Sequence, residues 1–412
     1  MKRIPGLTRG FRSTSVKMSI AVALSFNVMG AALNAHEMSE PRWLAPSEDI
    51  EMLPEGGSIL FWQGDTQIAG FRNTHRLSST RYIESGEQAR YLPKDTHDFG
   101  QLSYQIDNVS YDLDDFMQHN HVAGLLVLKD GEVRLERYGL GNQPHHRWVS
   151  FSMTKSVVSL LTGAAIADGY IGSVEDPVTD YLPQMKGSSY DGVRIRDVLQ
   201  MASGTDWNED YADPESDVAS SPGDMLELMH FLGSKQRIAE PGTRFNYNTG
   251  ETNLAGAIVR AAIGNNLSAY LSEKIWKPWG MGADAYWMSH GPNGGELGGC
   301  CIAATLRDWG RLATFVLNDG QLDDGTNVLP PGWMQESTAP SPASDQYGYL
   351  WWLEDNGAFR ASGIFGQGVY FNPDEKLAIV VFSARPEATS RQHLELHRNA
   401  MFRAVETELV SQ

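Results

Sequence analysis

Residues 150–161 read Ser150-Phe151-Ser152-Met153-Thr154-Lys155-Ser156-Val157-Val158-Ser159-Leu160-Leu161. Val157, Leu160, Leu161, Ala164 and Ala165 lie on one face at helical spacing, which predicts a helix over 154–168 with Gly169 as its stop. Ser152 and Lys155 are three apart at the first turn, so both point the same way. A serine there meets free backbone N–H groups and the positive end of the helix dipole, and both stabilise an oxyanion. A lysine one turn on can accept the serine proton if burial and cationic neighbours lower its pKa. On this segment alone, an N-cap serine and a surface lysine are an equally available reading.

Upstream, Gly124 to Gly139 reads GLLVLKDGEVRLERYG. Two apolar-rich runs flank Asp130-Gly131, a hairpin signal. Downstream, helical spacing predicts helices over 193–202, 222–232, 251–263 and 303–318. The period then changes. Residues 358–371 and 376–382 read as strands joined by a turn at Asn372-Pro373-Asp374, and a last helix spans about 393–409. Strands at both ends of a helical middle pair only if the middle is an excursion from one sheet. The fold predicted is therefore α+β, an α/β sandwich: an antiparallel sheet flanked by helices with an inserted all-helical subdomain at about 170–290. Residues 111–412 form that domain. Residues 36–110 are polar and rich in turn formers, and are expected to wrap it as an N-terminal extension.

Two further segments bear on chemistry. Pro241-Gly242-Thr243-Arg244-Phe245-Asn246-Tyr247-Asn248-Thr249-Gly250 leads into a helix, and a tyrosine in such a turn can shuttle a proton between nucleophile, lysine and leaving group. A half-buried structural tyrosine is the plainer reading. Arg360-Ala361-Ser362-Gly363-Ile364-Phe365-Gly366-Gln367-Gly368 reads as a strand whose small residues let a substrate backbone lie against it. A strand N–H there can act as a second oxyanion donor. Close packing of strand on helix would use the same small residues.

Ser152-x-x-Lys155, then Tyr247, then a glycine-bearing strand near the C-terminus resembles the serine β-lactamase and penicillin-binding-protein superfamily over about residues 110–405. The class C-like branch, with its family VIII esterases, is the nearer match. The run Glu209-Asp210-Tyr211-x-Asp213-Pro214, Thr305-x-Arg307-Asp308, Trp351-Trp352 and Gly366-Gln367 resemble the 6-aminohexanoate-dimer hydrolase type, a nylon-oligomer amidase. The resemblance implies Ser152 as acyl-forming nucleophile, Lys155 as general base and Tyr247 as proton relay. It implies an oxyanion hole from the backbone N–H groups of Ser152 and Ile364. Tyr211 and Trp352 match substrate-lining positions, and Ser362 and Gly363 fall on the substrate-side strand. No metal or cofactor is implied.

Two departures bear on substrate. The family's second motif is commonly Tyr-x-Asn; here it is Tyr247-Asn248-Thr249, with a shorter hydroxyl in place of an amide. The third motif of β-lactamases is Lys-Thr-Gly; the matching residues here are Ala361-Ser362-Gly363. That lysine helps to hold the carboxylate of β-lactams and peptidoglycan stem peptides, so its loss favours neutral esters or linear amides. The expected activity is cleavage of a small-molecule ester or amide. The rival readings are a β-lactamase or D-Ala-D-Ala peptidase, and a non-catalytic cell-wall binding module.

Composition agrees with a large globular core: 412 residues, 41% apolar and 20% charged. The 51 acids against 33 bases give a formal net charge of −18. Such a surface repels phosphate backbones and anionic lipid, so no nucleic-acid partner is expected. Residues 1–17 are basic and 18–35 are apolar and small, the pattern of a cleavable secretory signal ending at Ala35 or Ala32. The mature protein is then expected to be periplasmic or secreted, without stable membrane insertion. Cys300 and Cys301 are adjacent, and neighbours in sequence rarely bridge, so two buried thiols are expected. His119-x-His121 and the His145-His146 pair raise a metal reading, but metallohydrolase spacings are absent and no metal is expected. The acid-rich stretch 206–217 lacks the alternating ligands of a calcium loop and is read as a rim of the active site.

Overall fold

The computed structural model describes residues 47–388 and 391–410. The secretion signal expected over residues 1–35 lies outside them, as does the start of the extension. The described strands are β1 (Thr80–Ile83), β2 (Ser103–Ile106), β3 (Val109–Asp112), β4 (Val122–Lys129), β5 (Glu132–Tyr138), β6 (Arg147–Val149), β7 (Ala285–Met288), β8 (Ile302–Thr305), β9 (Trp352–Leu353), β10 (Phe359–Ser362), β11 (Gly368–Asn372) and β12 (Leu377–Ser383). The helices that matter below are α1 (Leu113–His119), α2 (Met153–Ala167), α3 (Ile195–Leu199), α4 (Thr249–Ile263), α5 (Leu306–Leu317) and α6 (Arg391–Val410).

The main sheet has the order β5-β4-β12-β11-β10-β9, antiparallel throughout. Strands from both ends of the domain meet at β4–β12, as the excursion argument requires. β4 and β12 read as nearly continuous apolar runs because both faces are covered. Leu126, Leu128, Val380 and Phe382 join the larger core, with residues of α2 and α5. Leu125, Val127, Ile379 and Val381 join a second core with α1, α6 and Tyr104 of β2. The β4–β5 turn has Asp130 and Gly131 at φ 55° and 80°, the left-handed pair that an Asp-Gly hairpin turn uses.

Three expectations are corrected. The segment 358–371 is not one strand: β10 ends at Ser362, a turn occupies 363–367, and β11 starts at Gly368. The strand-like residues Ile364 and Phe365 are buried in that turn by tertiary packing, which overrides their local preference. The main sheet is also not the only one. β1, from the extension, pairs with β7 in a four-stranded sheet of order β1-β7-β8-β6. Thus part of the extension is built into the fold, and the predicted helical middle closes with a strand. Finally, Cys300 and Cys301 are paired with each other, whereas two small buried residues that do not bridge were expected.

A half-buried histidine, His75, and a buried one, His146, are expected to make the fold acid-sensitive. His75 stacks on Tyr286 at 4.8 Å, and burial, then Arg147 and Arg76, hold its pKa down to about 4. Burial, then Arg72 and His145, hold His146 at about 4. No ring nitrogen of either has a hydrogen-bond partner. Both titrate near pH 6.5 when unfolded, so the unfolded chain binds more protons between pH 6.5 and 4 and stability falls across that window. Urea melts are expected to lose roughly 2–3 kcal/mol for each histidine between pH 7 and 4.5. His75→Phe should remove its own share of the slope; an unchanged slope would contradict this.

Candidate active site

Phe151 stands between β6 and α2 with φ 48°, a left-handed conformation that a bulky residue adopts only under tertiary constraint. The constraint is visible. Its ring contacts Phe71 and Phe365, each with centroids 4.9 Å away, and Phe71 and Phe365 are 5.1 Å apart. On the other side Ile302 N donates to Ser150 Oγ at 2.9 Å and Thr154 Oγ1 at 3.0 Å. Ser152 thus sits at the N-cap position of α2 with its hydroxyl not used as a cap, and its segment is held from β8 and from the turn after β10.

Phe151 precedes Ser152 and Phe365 follows Ile364, so the ring contact aligns the two backbone segments. Gly363 N donates to Gln367 O at 2.7 Å, and Phe365 N donates to Gln367 Oε1 at 3.2 Å. The Gln367 amide, fully buried, in turn donates to Ser383 O at 3.0 Å. Among the described residues no acceptor takes the backbone N–H of Ser152 or Ile364. A β-carbon on Gly363 would lie 2.6 Å from Ser150 O and 2.7 Å from Gln367 Oε1. Glycine is therefore required for this close approach. Gly363→Ala is expected to displace Ile364 and lower kcat by about 10²–10³ with a smaller change in KM. Steady-state kinetics check this; a wild-type kcat would contradict it.

Lys155 is 1% exposed on the first turn of α2. Its Nζ donates to Ser152 Oγ at 3.2 Å, Thr249 Oγ1 at 2.9 Å and Gly299 O at 2.8 Å. All three acceptors are neutral. Burial lowers its pKa to about 8, while the Glu209 carboxylate acts in the opposite sense. The sequence reading invoked cationic neighbours as well; none contributes, and desolvation alone does the lowering.

Glu209 is the residue that sequence reasoning left without a role. Its carboxylate accepts from Tyr211 OH at 2.5 Å and Thr249 N at 3.0 Å, and also from Trp207 Nε1 and Thr249 Oγ1. Because Thr249 gives its proton to Glu209, its lone pairs face Lys155. The threonine that departs from Tyr-x-Asn thus links Lys155 to the 206–217 stretch. Glu209→Gln removes the charge that favours the protonated lysine. The acid limb of the pH–rate profile is expected to move to lower pH, a direction opposite to that of simple structural damage. A limb that stays put or moves upward would contradict this link.

Tyr247 lies in the turn before α4, with Lys155 Nζ 5.4 Å from its ring centroid. The same ring stacks on Trp352 at 5.4 Å and 19°. Tyr347 meets the edges of both rings, at 6.0 and 4.9 Å. Arg360 is paired with Trp352 across β9 and β10, sits 5.5 Å over its ring, binds Glu354 and donates to Ser362 Oγ at 2.8 Å. Ser152, Lys155, Tyr247, Tyr211 and Trp352 therefore form one connected cluster, with Ile364, Ser362 and Gly363 at the end of β10 beside it. His119 is elsewhere, stacked on His397 of α6 at 5.1 Å.

The sequence profile of the family described as beta-lactamase matches residues 112–400. The chain belongs to this family and is a beta-lactamase-fold hydrolase. A 6-aminohexanoate-dimer hydrolase of Paenarthrobacter ureafaciens is 28% identical over 305 residues, covering 68% of this chain and 77% of the relative. Among solved structures, a Bacillus anthracis protein assigned as a 6-aminohexanoate-dimer hydrolase superposes with a TM-score of 0.77 at 20% identity, over 90% of this chain and 99% of that one. EstCE1, a hydrolase with promiscuous acyltransferase activity, superposes with a TM-score of 0.58 at 15% identity, over 70% and 98%. At such identities the superpositions establish the shared fold.

Proposed function

We propose that this protein is an exported serine hydrolase that cleaves carboxylic esters or linear amides through an acyl-enzyme on Ser152. The observation that carries the reading is the buried Lys155 Nζ, 3.2 Å from Ser152 Oγ, with a pKa held down to about 8. A lysine in that state is partly neutral at mildly basic pH and can take the serine proton. Ser152 Oγ then attacks the substrate carbonyl. The carbonyl oxygen gains negative charge and is received by the N–H groups of Ser152 and Ile364. Tyr247, beside Lys155, hands a proton to the departing alkoxide or amine. A water then attacks the acyl group with the same residues acting in reverse, which restores Ser152.

The walls around this centre are aromatic: Tyr211, Tyr247, Phe245, Tyr347 and Trp352. They suit an alkyl chain or a neutral ester better than a multiply charged peptide. Linear 6-aminohexanoate dimer, after which the relative above is named, would offer such walls its two alkyl chains, with its ammonium and carboxylate at the far ends. Export rests on the basic-then-apolar composition of residues 1–35. N-terminal sequencing of protein from the periplasmic or culture fraction tests it; an intact N-terminus in the cytoplasm would overturn it.

The activity test is hydrolysis of p-nitrophenyl butyrate, linear 6-aminohexanoate dimer and nitrocefin. Turnover of the ester or linear amide supports the reading, and the faster of the two names the subclass. Rapid turnover of nitrocefin alone would favour a β-lactamase. No turnover of any would favour a binding module.

A further inference from the structure

Beneath the Tyr247 turn, α4 carries a carboxyl group that the chemistry above does not use. Glu251 is 2% exposed, in the first turn of the helix. Its Oε1 accepts from Ser203 Oγ and from Asn248 Nδ2 at 3.3 Å, and its backbone N–H donates to Asn248 Oδ1 at 3.0 Å. Asn248 is fully buried and lies between Tyr247 and Thr249. The same turn is tied to the 201–207 segment at three more points. Asn246 N donates to Met201 O at 2.9 Å, Asn248 N approaches Met201 Sδ at 3.3 Å, and Asn246 Nδ2 donates to Trp207 O at 3.2 Å.

We infer that Glu251 is a positioning residue: acting through Asn248 and Ser203, its carboxyl fixes the turn that presents Tyr247 and Thr249 to Lys155. This rests on the catalytic reading of Tyr247 and Lys155 given above.

A helix-start acid normally lies in water or reaches back to the cap residue's N–H. Here that N–H goes to Met201, and the acid points inward. The groups around it are Asp197 on α3, paired with Arg194 at 2.7 Å, together with Tyr190 and Tyr347. None is a free cation. Burial pushes Glu251 up to about 8, which favours the protonated form at neutral pH, a neutral hydrogen-bonding group. Its Oε2 is buried without a side-chain hydrogen-bond partner, and the Tyr190 hydroxyl beside it faces Thr205, Asn248 and Ser203. A leucine would cost less to bury at this place. What the carboxyl adds is a directed link between two loops, one of which carries two residues of the active centre.

A neutral acid acting by hydrogen bonding has a specific signature: the neutral amide should replace it and an apolar isostere should not. Glu251→Gln is expected to keep kcat within about threefold of wild type. Glu251→Leu should lower kcat by about 10–10² through misplacement of Tyr247 and Thr249, with KM within about threefold. Ser203→Ala, a milder change, should lower kcat in the same direction by less. Hydrogen exchange at the amides of residues 246–249 provides a readout that needs no substrate. Exchange there should be faster in Glu251→Leu and Ser203→Ala and unchanged in Glu251→Gln. If the wild type turned over no substrate, the catalytic reading would fail while exchange still decided whether Glu251 holds the turn. The inference is overturned if Glu251→Gln is as impaired as Glu251→Leu. It is equally overturned if Glu251→Leu and Ser203→Ala keep wild-type exchange at 246–249.

Discussion

Replacing Ser152 with alanine is expected to lower kcat/KM by about 10⁴–10⁶ while leaving the fold intact. The size follows from what is lost. Without the hydroxyl no acyl-enzyme forms, and what survives is binding and the oxyanion donors, which act on an uncatalysed attack by water. The fold should persist because the turn is held by other atoms. Phe151 is clasped by Phe71 and Phe365, and Ser150 and Thr154 bind Ile302 N. Ser152 Oγ itself serves only as one of three acceptors of Lys155 Nζ. Kinetics on the ester or amide that the wild type cleaves, beside a thermal melt, check both halves. Residual activity above about a hundredth of wild type would contradict the role.

The second large effect belongs to Lys155. Lys155→Ala is expected to lower kcat by about 10²–10⁴, the usual range for a general base. Lys155→Arg should be no better, since a guanidinium keeps the hydrogen bonds but does not give up its proton. The wild-type pH profile carries the same information. Burial holds the folded-state pKa at about 8, so the base is protonated below that pH. The rate of the chemical step should rise about tenfold per pH unit up to pH 8 and then level. A flat profile between mildly acidic and mildly basic pH would contradict Lys155 as base.

Much of this was legible before the structure, and the reasons are local. The Ser152–Lys155 pair sits on a helix whose apolar spacing is clear, and the helix runs Met153–Ala167 against an expected 154–168. Asp130-Gly131 marks a hairpin because few dipeptides accept two left-handed residues. What was not legible depends on partners far apart in sequence. Glu209 and Thr249 are forty residues apart, and nothing near either shows that they share a proton. The break at 363–367 is hidden because Ile364 and Phe365 have strand-forming side chains. Only contact with Phe151 and Phe71 turns them into a bend. β1 looked like part of a loose extension because its partner, β7, lies two hundred residues on. The lowered pKa of Lys155 was expected, but its cause was misassigned, since burial depends on what the chain packs over it.

The missing third-motif lysine has a structural counterpart worth noting. The cation nearest to Ser362 is Arg360, already engaged by Glu354 and stacked over Trp352. It holds Trp352, and through it Tyr247, rather than standing alone at the strand end as a lysine would. This agrees with a substrate whose recognition depends on apolar contact more than on a carboxylate.

The central claim is that Ser152 carries the acyl group. The direct test is to mix the protein with p-nitrophenyl butyrate, quench within the first turnovers, and measure intact and peptide masses beside Ser152→Ala. The account predicts a single added butyryl group on the peptide that contains Ser152 in the wild type, and none in the variant. Turnover without any adduct in the wild type, or an equal adduct in Ser152→Ala, would contradict it.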